Sequence, residues 1–503
     1  MVLLEVPTLT LTICVACLIF LWVWRNSQRQ GSLPPGPMPL PIIGNMLQLD
    51  LKDLPASFSK LAKEYGPVYT LRIGPQLTVV LHGYKAVKEA LIDQGDEFLG
   101  RAAMPVVEHN QRGYGILFSQ GERWKHMRRF SLLTLRNFGM GKRSIEERIQ
   151  EEARCLVEEL RKTKAQPFDP SFIFSCAPCN VICSVLFNER FQYTDERFLY
   201  LMNLLNENFR RFNSRWIQLY NLWPTLIKHL PGEHRAFLRR TQDMRNFIME
   251  KVKEHQESVD PNHPRDYIDC FLNKMEQEKD NPASEFNLRN LATCGSNLFV
   301  AGTETTSSTL RFALLLLMKH PAVEGTSNTL RAMEGWVGPN QSPCMMDKTK
   351  LPYTEAVLHE IQRFITLLPC NLPHSVTKDT KFRTYVIPKV RRAWESWRVG
   401  GTRWYLEGSD DKGFPNPEKF DPDHFLDKNG NFMKSDYFVP FSLGKRACAG
   451  ESLARMELFL FLTTILQNFS LKSVIEPKDL PIKPITSGII NAPPPFKLCL
   501  IPR

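Results

Sequence analysis

Apolar and polar residues follow three rhythms along this chain. Val6 to Trp24 is an uncharged, mostly apolar run of 19 residues. As a helix it would span roughly 28 Å, close to the ~30 Å hydrocarbon core of a bilayer. Trp22 and Trp24 stand where an interfacial aromatic belt falls. The run is longer than the apolar core of a cleaved leader, and Glu5 replaces the basic residues of one. Arg25 and Arg29 follow it, which leaves the body of the chain cytoplasmic. The sequons at Asn340 and Asn468 then go unglycosylated. Pro34 to Pro41 places five prolines in eight residues, a stiff and extended spacer. Val68–Ile73 and Leu77–Leu81 alternate as short strands about Gly74-Pro75. Ile145–Leu160 and Phe247–His255 have the spacing of charged amphipathic helices. Leu288–Lys319 reads as a long apolar helix interrupted by Ala301-Gly302-Thr303-Glu304-Thr305-Thr306. A glycine, a carboxylate and three threonines are poor choices there. Such broken local rules mark functional sites. A last apolar run, Leu453 to Leu466, has helical spacing.

Composition narrows the picture. The 503 residues are 43% hydrophobic and 23% charged, enough for a large core. Length alone allows two to four domains. A net charge of +11 suits an anionic lipid surface or an acidic protein partner. No Lys/Arg block interleaved with aromatics occurs, which argues against nucleic acid. Twelve cysteines are too sparse for a disulfide framework. Cys176, Cys179 and Cys183 lie among apolar neighbours and read as buried free thiols. Gly139-Met140-Gly141 lacks the third glycine of a dinucleotide loop, and no flavin or nicotinamide site is visible. Electrons must then come from another protein.

The most specific stretch is Phe441-Ser442-Leu443-Gly444-Lys445-Arg446-Ala447-Cys448-Ala449-Gly450. A cysteine stands in a glycine-flanked loop just before the last apolar helix. A helix N-terminus and nearby N–H groups favour a thiolate. Gly444 and Gly450 would let the backbone approach a flat macrocycle. Arg446 can pair with a propionate. These are the needs of a cysteine ligand to haem iron.

The pattern F-x-x-G-x-R-x-C-x-G resembles the haem signature of the cytochrome P-450 monooxygenases, and the likeness covers nearly the whole chain. It implies a mainly α fold with a small β region, haem b, and Cys448 as the metal ligand. It also implies propionate contacts from Trp124 and Arg128, four apart on one helix face, and from Arg101 and His374. Phe441, Gly444 and Gly450 would shape the cofactor loop with Arg446. Thr305 and Glu304 would form the acid–alcohol pair that handles protons. Glu360 and Arg363 resemble a buried structural pair, joined by His424. Phe118, Ala301, Gly302, Leu367 and Ile489 would line the substrate pocket. Phe198–Leu230 would roof that pocket and touch the membrane. The wording of Asn137–Arg143 and Cys176–Cys183 is similar to the microsomal family 2, subfamily C enzymes, and looks nearest to arachidonate epoxygenases. The implied partners are NADPH-cytochrome P-450 reductase, cytochrome b5, a lipophilic substrate and the endoplasmic reticulum membrane. The expected layout is an anchor over 1–25, a hinge over 26–45 and a catalytic domain over 46–503.

Two segments depart from the family. Residues 324–336 replace an acidic amphipathic helix with a weak helix former. Residues 390–413 replace a short Gly-Thr-rich strand with charged residues and three tryptophans. Neither period-2 face of that segment is apolar, so the expectation is a loop with the strand missing or poorly formed. A haem-binding but inactive chain is therefore the alternative reading. A membrane-anchored protein without haem is a third. A reduced, carbon-monoxide-bound spectrum separates the three.

Overall fold

The computed structural model describes residues 33–50, 53–138, 143–325, 341–389, 398–401, 414–485 and 490–503. The apolar run Val6–Trp24, the Gly139-Met140-Gly141 turn, Asn340 and Ile489 lie outside these, as do most of 324–336 and 390–413. Helix dominates, with small sheets among the described residues. No helix of the described residues is long and apolar enough to cross a membrane.

The chain forms two compact units. The first draws on Met1–Ala103, Pro369–Tyr405 and Leu443–Lys445. Its helix α1, Leu54–Tyr65, opens on Asp53, whose carboxylate accepts from the Ala56 N–H at 3.1 Å. Strands β1 (Val68–Ile73) and β2 (Gln76–Leu81) pair antiparallel, with Val68 opposite Leu81 and Ile73 opposite Gln76. Period-2 alternation sends Val68, Leu77, Val79 and Leu81 into one small core and Tyr69, Leu71 and Val80 into another, against Phe58 and Leu61 of α1. Strands β3 (Gly100–Arg101) and β4 (His374–Ser375) are antiparallel neighbours. Thr380–Phe382 (β5) and Tyr385–Ile387 (β6) form a separate hairpin.

Strand β7, Arg398–Gly401, lies between β2 and β4, giving the sheet order β1-β2-β7-β4-β3. This corrects the expectation for 390–413, because a strand does form inside that segment. The ladder uses main-chain N–H and C=O groups, which every non-proline residue carries. With a partner strand on each side, pairing does not need an apolar face.

The second unit holds Met104–Leu368, Leu406–Ser442 and Arg446–Arg503. Its longer helices are α2 (Gly121–Asn137), α3 (Arg143–Arg161), α4 (Ser171–Phe187), α5 (Glu196–Phe212), α6 (Glu233–Ser258), α7 (Tyr267–Gln277), α8 (Leu288–Lys319), α9 (Pro352–Ile365) and α10 (Glu451–Asn468). Phe247–His255 is thus the end of the longer α6. A hairpin of β8 (Phe469–Ser473) and β9 (Leu498–Pro502) closes the unit's C-terminal part. Helix α4 has no charged residue and is buried on nearly every side. Its thiols Cys176, Cys179 and Cys183 are free and fully buried, as the apolar neighbours predict.

Helix α8 is the axis of this unit and packs against α4, α6, α9 and α10. Its Asn287 cap accepts from the Asn290 N–H at 3.0 Å. The sequence suggests an interruption at Ala301–Thr306, yet the helix runs unbroken. The hydroxyls explain it. Thr303 donates to the Phe299 carbonyl at 2.8 Å, Thr305 to Ala301 at 2.7 Å and Thr309 to Thr305 at 2.8 Å. Each of these three threonines satisfies itself on the preceding turn and leaves the helical ladder in place.

Candidate active site

Cys448 ends a tight loop. Its N–H donates to the Phe441 carbonyl at 2.9 Å, and Ser442 is left-handed at φ 65°. Gly444 has φ +73°, and a Cβ there would meet the Leu91 carbonyl at 2.0 Å. Its glycine is therefore demanded by the loop itself. Arg455 lies over the Phe441 ring at 4.9 Å.

Helix α2 braces this loop from below. Arg128 donates to the Ala447 carbonyl at 2.5 Å. The buried Arg446 guanidinium lies 4.0 Å from the Trp124 ring centroid and donates to the Ser119 carbonyl at 2.7 Å. The W-x-x-x-R pair thus reaches the cysteine loop directly. Stacking on an aromatic face suits a partly desolvated guanidinium.

The Cys448 side chain is accessible, but protein surrounds it closely enough that burial raises the thiol pKa. The Gly450 N–H and the Arg128 cation pull the other way, without overcoming burial. Burial, with the Glu451 carboxylate, thus favours the protonated thiol over the thiolate. A bound metal ion would reverse this, because a coordinated thiol loses its proton outright.

The donor set fits one group. Among the described residues, the His/Cys/Asp/Glu cluster dense enough to share an ion is His255, Asp266 and Asp269, and Cys448 is not in it. A lone thiolate suits an iron whose other ligands come from a macrocycle, and does not suit tetrahedral zinc.

Two further residues stand in the first unit. Arg101 and His374 are direct cross-strand partners on β3 and β4, both buried. Arg101 donates to the Leu372 carbonyl at 3.0 Å, and His374 Nδ1 to the Phe98 carbonyl at 2.8 Å. Two buried cation-capable side chains placed opposite one another suit an anionic group.

In α8, Glu304 is buried. Its Oε1 accepts from Ser308 at 2.8 Å and from Arg311 at 3.0 Å. Burial raises its pKa, and Arg311 opposes the rise. Gly302 faces α4, where an added Cβ would lie 3.2 Å from Ile182. Its small size serves close helix packing. Phe118 is buried, and the Leu367 carbonyl accepts from the Asn491 N–H at 2.8 Å.

The Glu360–Arg363 pair is bidentate, at 2.7 and 2.8 Å, and Glu360 is fully buried. His424 Nδ1 meets Glu360 at 3.2 Å, and the Asp421 N–H donates to it at 2.8 Å. Arg363 also holds the Pro417 and Lys419 carbonyls at 2.8 and 3.0 Å. Burial alone would lower the His424 pKa, but Glu360 raises it overall.

Some contributors carry no motif. Asn297 of α8 accepts from the Ile116 and Leu117 N–H groups at 3.0 and 3.2 Å. Glu457 of α10 accepts from Thr306 at 3.1 Å, and both are buried. No local pattern marks them, because their partners lie 151 to 181 residues away in sequence.

Burial pushes the Glu457 carboxyl up to about 8. An unfolded glutamate ionises near pH 4.3, so between there and pH 8 the folded chain binds the extra proton. Stability contributed by this group is intact below that window and falls as pH rises through it. Glu457→Gln removes the slope. Denaturant melts at pH 5.5 and 8 should show wild type losing stability relative to the variant, by at most roughly 3 kcal/mol. Parallel losses in both proteins would mean Glu457 is ionised in the fold.

The family follows from this arrangement. The cytochrome P450 family model matches residues 34–500, and the chain belongs to that family. It is a haem-thiolate monooxygenase that binds haem b. It is 68% identical to cytochrome P450 2C23 of Rattus norvegicus and 66% identical to cytochrome P450 2C44 of Mus musculus, over the full length of both chains in each case. It is 59% identical to cytochrome P450 2C8 of Homo sapiens, over 99% of each chain. When bound, haem b supplies dioxygen activation, and the thiolate pushes electron density into the iron to favour O–O cleavage.

Proposed function

We propose that this chain is a single-pass microsomal enzyme that inserts one atom of O2 into lipophilic substrates. Fatty acids such as arachidonate, steroids and xenobiotics are the substrate classes. Electrons come from NADPH through cytochrome P-450 reductase, with cytochrome b5 as a second donor. The Cys448 loop carries this reading: one metal donor, braced by Trp124, Arg128 and Arg446. Arg101 and His374 are further cofactor contacts, and Phe441, Gly444 and Gly450 shape the loop. Phe118, Ala301, Gly302, Leu367 and Ile489 line the substrate pocket. Thr305 and Glu304 handle protons. The direct test is to reconstitute the full chain with the reductase and arachidonate. A thiolate-type carbon monoxide band together with NADPH-dependent epoxides is expected. A normal band with no oxygenated fatty acid would sink the substrate assignment.

Thr305→Ala should leave haem content unchanged, because alanine is a better helix former. The variant loses the hydroxyl that handles protons, so product per NADPH should fall about tenfold or more while peroxide rises. Thr305→Ser should restore most of the ratio. An unchanged ratio in the alanine variant would remove Thr305 from the proton path.

Deleting residues 1–24 should keep haem and reduce sedimentation with membranes. Some association should remain, since Leu226 and Leu230 are exposed at 62% and 40%. Loss of haem on this deletion would place the segment in the folded core.

A further inference from the structure

A pocket of about 400 Å³, open to solvent, lies where α6 meets the first turn of α8. Gln242, Arg245, Met249, Leu288 and Arg289 line it. Arg289 is a cation in the first turn of a 32-residue helix, where the dipole disfavours positive charge. Its guanidinium lies 4.8 Å from the Tyr114 ring, and its buried Nε has no hydrogen-bond partner among the described residues. Among the described residues Arg245 donates to the Asn110 carbonyl, at 3.3 Å. Among the described residues neither arginine forms an ion pair. The neighbouring acid, Glu285, is taken by Arg123 at 2.6 Å. Burial, and repulsion from Arg289 and Arg112, lower the Arg245 pKa.

A cavity walled by two unpaired guanidiniums is an anion site. Met249 and Leu288 add apolar walls beside the charge. A small inorganic anion would use only half of such a surface. We infer that this pocket binds the carboxylate end of an amphiphilic acid, with Arg245 and Arg289 on the carboxylate and Met249 and Leu288 against the first methylenes. The site is independent of the haem chemistry.

The test uses the full-chain holoenzyme with its haem iron occupied by a tight azole ligand, so that the substrate pocket is blocked. Decanoate is then titrated by calorimetry. Saturable binding is expected, weakened about tenfold or more in both Arg245→Gln and Arg289→Gln, while decanol does not bind. Leu288→Glu places a carboxylate inside the pocket and at a helix N-terminus. It should raise the melting temperature and abolish decanoate binding. The inference is overturned if decanoate does not bind the blocked wild type, or binds both glutamine variants equally well. It is also overturned if decanol or inorganic phosphate binds as tightly as decanoate.

Discussion

Cys448→Ala is expected to give a folded chain with no thiolate-type carbon monoxide band and no oxygenation. The loop does not depend on the sulfur for its shape. Its closing bond runs from the Cys448 N–H to the Phe441 carbonyl at 2.9 Å, and alanine keeps that N–H. The braces from Arg128 and Arg446 end on main-chain carbonyls, which alanine also leaves intact. What disappears is the one metal donor of the loop. Far-ultraviolet dichroism should therefore match wild type while the thiolate band goes to zero. Cys448→His should give an imidazole-type band instead. A thiolate band surviving in the alanine variant would end the assignment of Cys448 as ligand.

Arg363→Ala should be nearly as severe, through stability. Glu360 would remain fully buried with its bidentate partner gone, and the Pro417 and Lys419 carbonyls would lose a donor. Breaking a buried pair from one side costs about 3–5 kcal/mol. A whole domain has only ~5–15 kcal/mol to lose. Little haem-loaded protein should be recovered at 37 °C, and the denaturant midpoint should fall sharply. Arg363→Lys should rescue only partly, because an ammonium cannot donate two parallel bonds to one carboxylate. His424 adds a pH signature. Its raised pKa means its pairing with Glu360 is fully present below about pH 6.5 and fades as pH rises through the folded value. A wild-type midpoint in Arg363→Ala would show that the three-residue cluster carries little stability.

Much of the frame is legible from spacing. Strand β1, helix α8 and helix α10 fall where periodicity places them, and strand β2 starts one residue earlier than expected. The Cys448 loop and Glu360–Arg363 announce themselves through short-range patterns. Other features do not. Charge patterning hides β7, since its pairing rests on the backbone. The threonines of α8 read as a break because their return bonds cannot be seen in composition. Glu457, Asn297 and the Arg446–Trp124 stack depend on contacts across distant parts of the chain. Cys448 shows the limit most clearly: its identity is plain, but its protonation depends on how burial weighs against one N–H and one guanidinium.

The sheet of the first unit also constrains synthesis. Its strand β2 needs β7 alongside it, and Leu81 pairs with Gly401, about 320 residues later. A ribosome adding ~5–20 residues per second takes roughly 16–64 s to cover that interval. Throughout that time β2 presents an unpaired edge next to a finished hairpin with β1. The helices of the second unit, which lie mostly between the two strands in sequence, can collapse first. Chaperone demand should therefore peak before residue 398 leaves the ribosome, and chains stalled in that window should be more prone to aggregate than chains stalled after residue 450.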